Sequence, residues 1–198
     1  MKNRESILQS TSTIVFNKEE KLKSPLFLEI GSGKGAFITQ LALQNPDKFY
    51  LACEGGININ VRILQKAAEL NLQNLKVITE YITVPTDWFA PNTLDGIYIN
   101  FCDPWPKDRH AHRRLTYRNL LEGYKTIAKP GAFLQFKTDN DALFEWSLEE
   151  FKAADLLILE MSRDLHNSGF AEKNIPTEYE TKFASAGKSI NYAKLLLK

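Results

Sequence analysis

Apolar residues in this chain fall in short unbroken runs that alternate with longer stretches of helical spacing. Leu26 to Ile30 is such a run; it ends in Gly31-Ser32-Gly33-Lys34-Gly35, after which Phe37, Ile38, Leu41 and Ala42 recur at helical intervals. That order predicts strand, glycine turn and helix. Asn45-Pro46-Asp47 closes the helix, Phe49 to Cys53 forms a second strand ending at Glu54, and Ile57 to Leu70 forms a second helix. Lys76 to Thr79 is a third strand. A looser segment with Pro85, Trp88 and Pro91 precedes the strand Gly96 to Phe101, and a helix over Arg113 to Ala128 is stopped by Lys129-Pro130-Gly131. The strand Ala132 to Lys137 follows, then a helix over 140–154, a strand near Leu156 to Met161, a polar loop from Asp164 to Thr181 and a last strand near Asn191 to Leu197.

Strands and helices alternating at this pitch imply a doubly wound, mostly parallel α/β sheet covered on both faces, because parallel neighbours need crossover connections. The two final strands are joined without a helix, which suggests an antiparallel edge. A length of 198 residues suits one domain. Residues 1–25 then form an N-terminal extension with room to be flexible.

Charge changes the picture locally. The net charge is only +1, yet Lys107, Arg109, Arg113, Arg114 and Arg118 are opposed within their stretch by Asp108 alone. So lopsided a cluster favours phosphate contact over an ordinary solvated face. Cys53 and Cys102 are too few for a disulfide scaffold and read as buried small hydrophobes, and His110, His112 and His166 form no metal constellation. With no apolar run long enough to span a bilayer, a cytoplasmic protein without membrane contact is the default expectation, as monomer or homodimer.

Candidate chemistry gathers at the predicted carboxyl ends of the strands, where doubly wound folds bind ligands. Gly31 and Gly33 let a backbone turn approach a ligand closely, and Glu54 stands where an acid can hold two ribose hydroxyls. The glycine spacing also fits a dinucleotide pattern, so NAD must be weighed; a nucleotide phosphate loop is excluded because glycine follows Lys34. Glu29 favours S-adenosylmethionine, since a carboxylate beside the turn suits ammonium and sulfonium charges and repels a pyrophosphate. Downstream, Asn100-Phe101-Cys102-Asp103-Pro104-Trp105-Pro106-Lys107 carries a carboxylate, an aromatic plane and a cation on a loop stiffened by two prolines. An acid, a ring and clustered positive charge are what binding a nucleobase within a polyanion requires. Plainer roles exist for several of these residues: loop packing for Trp105, a helix cap for Asp139, and a capping box for Thr177 with Glu180.

With these motifs in place, the chain resembles the bacterial tRNA (guanine-N7)-methyltransferases. The resemblance runs from about Leu28 onward. It rests on Glu29 to Gly35, Asn100 to Lys107 with Arg113-Arg114-Leu115, Phe136-Lys137-Thr138-Asp139-Asn140, Asp164-Leu165-His166 and Thr177-Glu178-Tyr179-Glu180. It implies a class I, Rossmann-like methyltransferase fold that uses S-adenosylmethionine to methylate a guanine in the variable loop of tRNA. Carried over by position, it implies cofactor contacts at Glu29, Glu54 and Asp103, beside the turn glycines Gly31 and Gly33, with Asp103 the catalytic residue. Substrate contacts are implied at Lys107, Asp139, Thr177, Glu178, Tyr179 and Glu180, joined by Arg109, Arg113 and Arg114 from the basic cluster. Where the family usually has Asp-Ala after the third strand, this chain reads Glu80-Tyr81-Ile82, with Tyr81 at the Asp position; Glu80 or Tyr81 would then serve the adenosine. Gly55-Gly56 is also atypical. Two rival readings follow from these departures: a noncatalytic tRNA-binding protein that retains the cofactor fold, and a methyltransferase with another substrate.

Overall fold

The computed structural model describes residues 4–184 and 187–198. Seven strands form one sheet: β1 (Leu26–Ile30), β2 (Phe49–Cys53), β3 (Leu75–Ile78), β4 (Leu94–Asn100), β5 (Ala128–Thr138), β6 (Leu157–Ser162) and β7 (Asn191–Leu196). Among the described residues six α-helices accompany them: α1 (Arg4–Ser10), α2 (Ala36–Gln44), α3 (Ile57–Glu69), α4 (Arg118–Ile127), α5 (Asp141–Ala153) and α6 (Glu178–Ala184). The strand order is β3-β2-β1-β4-β5-β7-β6, with β1 to β5 parallel and β7 antiparallel to both β5 and β6. The antiparallel strand thus lies one place in from the edge, and β6 is the edge itself.

Side chains alternate across each strand, which splits the core into two layers. Leu26, Leu28 and Ile30 of β1, Ile97 and Ile99 of β4, and Leu134 and Phe136 of β5 pack with Leu121, Tyr124, Phe144 and Phe151 of α4 and α5. Phe27 and Tyr98 point to the opposite layer with Phe37, Ile38, Ile63 and Leu64 of α2 and α3. By the same alternation Glu29 and Asn100, and Lys137 in register with Asn100, belong to this second face. Three polar side chains therefore end three adjacent strands on one side of the sheet.

Two expectations need correction. The N-terminal extension packs on the sheet through residues 7–16: Ile7 of α1 is buried, Val15 pairs with Val77, and the Phe16 amide donates to the Val77 carbonyl at 2.8 Å. Helix α4 begins at Arg118, five residues later than its pattern suggested. Residues 108–113 wind as a 3-10 turn, and Arg114 and the buried Thr116 are drawn into tertiary contacts, Thr116 through a 2.7 Å bond with Ser147. The helix starts where the Glu150 carboxylate accepts the Arg118 amide at 2.8 Å, a favourable place for an anion.

Candidate active site

Strand order reverses between β1 and β4, and the candidate residues converge at the carboxyl ends of those strands. The Gly31 and Ser32 amides donate to the Cys53 carbonyl, which ties the glycine turn to the end of β2. Gly31, Gly33 and Gly35 all have positive φ, and a Cβ on Gly35 would press on Ile63 at 3.0 Å, so glycine there also lets α2 approach α3. Glu54 bridges the two loops: its Oε2 accepts the Gly33 amide at 3.2 Å and its Oε1 the Gly56 amide at 2.9 Å.

Glu29 is buried beneath this turn. Its Oε1 accepts a 2.8 Å bond from Asn100 Nδ2, while Oε2 and the Asn100 Oδ1 find no protein partner among the described residues. Burial pushes the Glu29 carboxyl up to about 7, against the pull of its bond from Asn100. The folded protein thus binds this proton more tightly than the unfolded chain does. Stability falls as pH rises from the ordinary carboxylate range toward 7 and levels off above it. We expect Glu29→Gln to stabilise the ligand-free protein by about 2 kcal/mol at pH 8 and by little at pH 5. Thermal unfolding at the two pH values measures this; equal shifts would contradict it.

The loop that carries Asp103 leaves β4 through left-handed backbone at Phe101 (φ 52°) and again at Trp105 (φ 41°). Such conformations cost about 1–3 kcal/mol each in a non-glycine residue and persist only where the surroundings impose them. Arg114 is what imposes the second. Its Nε donates to the Pro104 carbonyl at 3.0 Å and its Nη2 to the Trp105 carbonyl at 3.0 Å, and its guanidinium lies 4.3 Å over the Trp146 ring. Trp105 is half-buried between His110 and Arg113, the latter 4.8 Å over its ring. Asp103 stays exposed and takes no hydrogen bond or ion pair from a described residue.

The expected phosphate cluster is consequently smaller than the sequence suggested. Arg114 is only 6% exposed and its guanidinium is spent on the loop, so it positions Asp103 and is not free for phosphate. Arg118 is held by both Glu150 oxygens, at 2.7 and 3.1 Å. Lys107, Arg109 and Arg113 remain exposed.

The 177–180 segment reaches the same rim through Tyr179, whose ring lies 5.2 Å from that of Phe101. Thr177 and Glu180 do form a capping box: the Glu180 amide donates to Thr177 Oγ1 at 2.9 Å and the Thr177 amide to Glu180 Oε2 at 3.3 Å. Glu180 is fully buried, with Lys137 Nζ at 2.7 Å on one oxygen and His166 Nε2 at 2.9 Å and the Asn174 amide on the other. Lys137 also donates to Asn174 Oδ1 and the Ile175 carbonyl, each at 3.0 Å, and burial holds its ammonium below the usual lysine range. Glu180 is thus a structural anchor and not an exposed substrate contact. Glu178 is partly exposed and paired with Lys66 and Lys34. Asp139 pairs with Lys188 at 2.6 Å, and the cap of α5 is Asn140, whose Oδ1 accepts the Leu143 amide at 2.8 Å. Glu80 and Tyr81 are exposed just past β3. Burial pushes the thiols of Cys53 and Cys102 up to about 12, which favours the protonated form of both near neutral pH.

Sequence reading assigns Asn100 and Lys137 no site role, and assigns Arg114 to phosphate and not to the loop it holds. Strand parity could have found the first two, since Tyr98-x-Asn100 and Phe133-x-Gln135-x-Lys137 place them on the face of Glu29.

A reversing parallel sheet, a glycine turn backed by acids and one inserted antiparallel strand define a class I, Rossmann-like methyltransferase fold. Solved structures agree at the level of fold: the 16S rRNA methyltransferase KamB matches with a TM-score of 0.64 at 13% identity, over 99% of this chain and 94% of that one. A SAM-dependent methyltransferase from Aquifex aeolicus matches with a TM-score of 0.59 at 14% identity, over 100% of each. The family model described as "Putative methyltransferase" matches residues 23–193. The tRNA (guanine-N(7)-)-methyltransferase of Latilactobacillus sakei is 45% identical over 95% of this chain and 89% of its own length, and that of Bacillus subtilis 43% identical over 87% and 80%. The chain belongs to the tRNA (guanine-N7)-methyltransferase family.

Proposed function

We propose that this protein is a cytoplasmic enzyme that transfers a methyl group from S-adenosylmethionine to N7 of a guanine in the variable loop of tRNA. The observation that carries the reading is the Glu29–Asn100 bond. It joins the acid under the glycine turn to the strand that projects Asp103, so donor and acceptor sites share one rim. The cofactor fits the residues present: the unpartnered Glu29 Oε2 suits its ammonium, and Glu54 suits its ribose hydroxyls. Bound there, S-adenosylmethionine supplies an electrophilic methyl on a cationic sulfur.

Guanine N7 presents an in-plane lone pair and no proton, so this chain needs no strong base. Its task is to aim the base and favour the positive charge that grows on the imidazole half of the purine. Asp103 supplies both: its carboxylate accepts from the N–H edge of guanine and lies on a loop that Arg114 fixes. Phe101 and Tyr179 wall the same rim. Lys107, Arg109 and Arg113 neutralise phosphates beside the extruded nucleotide.

Unmodified tRNA incubated with labelled S-adenosylmethionine tests the reading. Label at guanine N7 supports it, and label elsewhere or none refutes it. For the phosphate contacts we expect Lys107→Ala with Arg109→Ala to weaken tRNA binding and flatten the log Kd against log salt slope by about 1–2. Arg118→Ala, whose guanidinium Glu150 already holds, should leave that slope unaltered. Filter binding across a salt series reads both.

A further inference from the structure

Helix α5 carries none of the candidate site residues, yet its side chains grip the link that joins the Asp103 loop to α4. Residues 114–117 form a turn in which the Tyr117 amide donates to the Arg114 carbonyl at 3.0 Å. Thr116 bonds Ser147 at 2.7 Å, Arg118 bonds Glu150 at 2.7 Å, and the Tyr117 ring stacks on Trp146 with centroids 6.3 Å and planes 6° apart. Leu115 reaches the glycine turn instead: its Cδ1 lies 3.8 Å from where a Cβ on Gly31 would stand. The link therefore touches the glycine turn through Leu115 and the Asp103 loop through Arg114, while α5 holds it in place.

Trp146 is the α5 residue that bears on Asp103. The buried Arg114 gives its Nε and Nη2 hydrogens to the Pro104 and Trp105 carbonyls, and no described carboxylate bonds it. Its guanidinium lies instead 4.3 Å over the Trp146 ring. A planar cation without a bonded carboxylate is oriented by the face it lies on, and the directions of its N–H groups follow that plane. We infer that Trp146 is a positioning residue for methyl transfer: it fixes the plane of Arg114, and Arg114 fixes the loop that bears Asp103 relative to the glycine turn. This rests on the reading of Asp103 given above.

Single-turnover transfer at saturating tRNA and S-adenosylmethionine tests the inference, with Kd for tRNA and for S-adenosylhomocysteine measured separately. Trp146→Leu should transfer about 10- to 100-fold more slowly while both Kd values stay within about twofold. Trp146→Phe keeps a ring face and should stay within about threefold of wild type. Arg114→Lys keeps the charge, loses the planar fork and should match Trp146→Leu. Leu148→Ala thins the packing of the same helix on the core, and should lower the melting temperature without slowing transfer. Because Trp146 acts through Asp103, Trp146→Leu should add no further loss to Asp103→Ala. Hydrogen exchange of the 102–107 amides should quicken in Trp146→Leu and Arg114→Lys but not in Leu148→Ala. Wild-type transfer by Trp146→Leu or Arg114→Lys overturns the inference, as does an equal loss in Leu148→Ala or an undiminished loss on the Asp103→Ala background. If Asp103→Ala itself transfers normally, the reading of Asp103 fails, and unaltered exchange in the loop then overturns the clamp as well.

Discussion

Replacing Asp103 by alanine is expected to slow methyl transfer by about 100-fold or more while leaving the fold and tRNA affinity intact. The size follows from what the carboxylate is asked to do. In the proposed mechanism its negative charge offsets the charge that grows on the purine only as the bond forms, so its removal falls on kcat more than on KM. The fold should not register the change, because Asp103 is exposed and takes no hydrogen bond or ion pair from a described residue. Surface substitutions of that kind stay within about 0.5 kcal/mol. Asp103→Asn keeps an acceptor and loses the charge, and should fall between wild type and alanine. Single-turnover transfer to saturating tRNA, with Kd measured separately, distinguishes the cases. A variant that transfers normally would remove Asp103 from the chemistry.

The second large effect is on stability. Lys137→Met should lower the unfolding free energy by about 3–5 kcal/mol, because it strands the Glu180 carboxylate in a site with no exposure. Truncating one partner of a buried pair costs more than removing both. Lys137→Met with Glu180→Gln should therefore regain part of the loss, leaving Thr177, His166 and Asn174 a neutral amide to bond. Denaturant unfolding of both single variants and the double variant measures the coupling. Additive losses would show that the pair does not act as a unit.

Most of the fold was legible because its signals are local. The boundaries of β1 and β2 fall where the apolar runs predicted, since a strand buried on both faces reads as a continuous run. The start of α4 was not legible: Arg113 and Arg114 are good helix formers by propensity, and only tertiary bonds to Pro104 and Trp105 take Arg114 out of the helix. The site divides in the same way. Glu29, Glu54 and Asp103 could be singled out as candidates because each lies within two residues of a glycine or proline near a strand end. Lys137 was hidden, since a lysine in sequence reads as solvated until its partners 37 to 43 residues downstream are folded around it.

The placement of β7 has a consequence for how the molecule is made. That strand fills the slot between β5 and β6, yet it leaves the ribosome after both of them. Until it emerges, β6 has no neighbour and the outer side of β5 is an open edge, so the sheet cannot close during synthesis. The segment that buries Lys137 is strung between β6 and β7 and is fixed in the same closing step. A chain being made therefore joins β6 to the rest of the sheet only through its last strand, and the carboxylate that pairs with Lys137 lies on the segment just ahead of that strand.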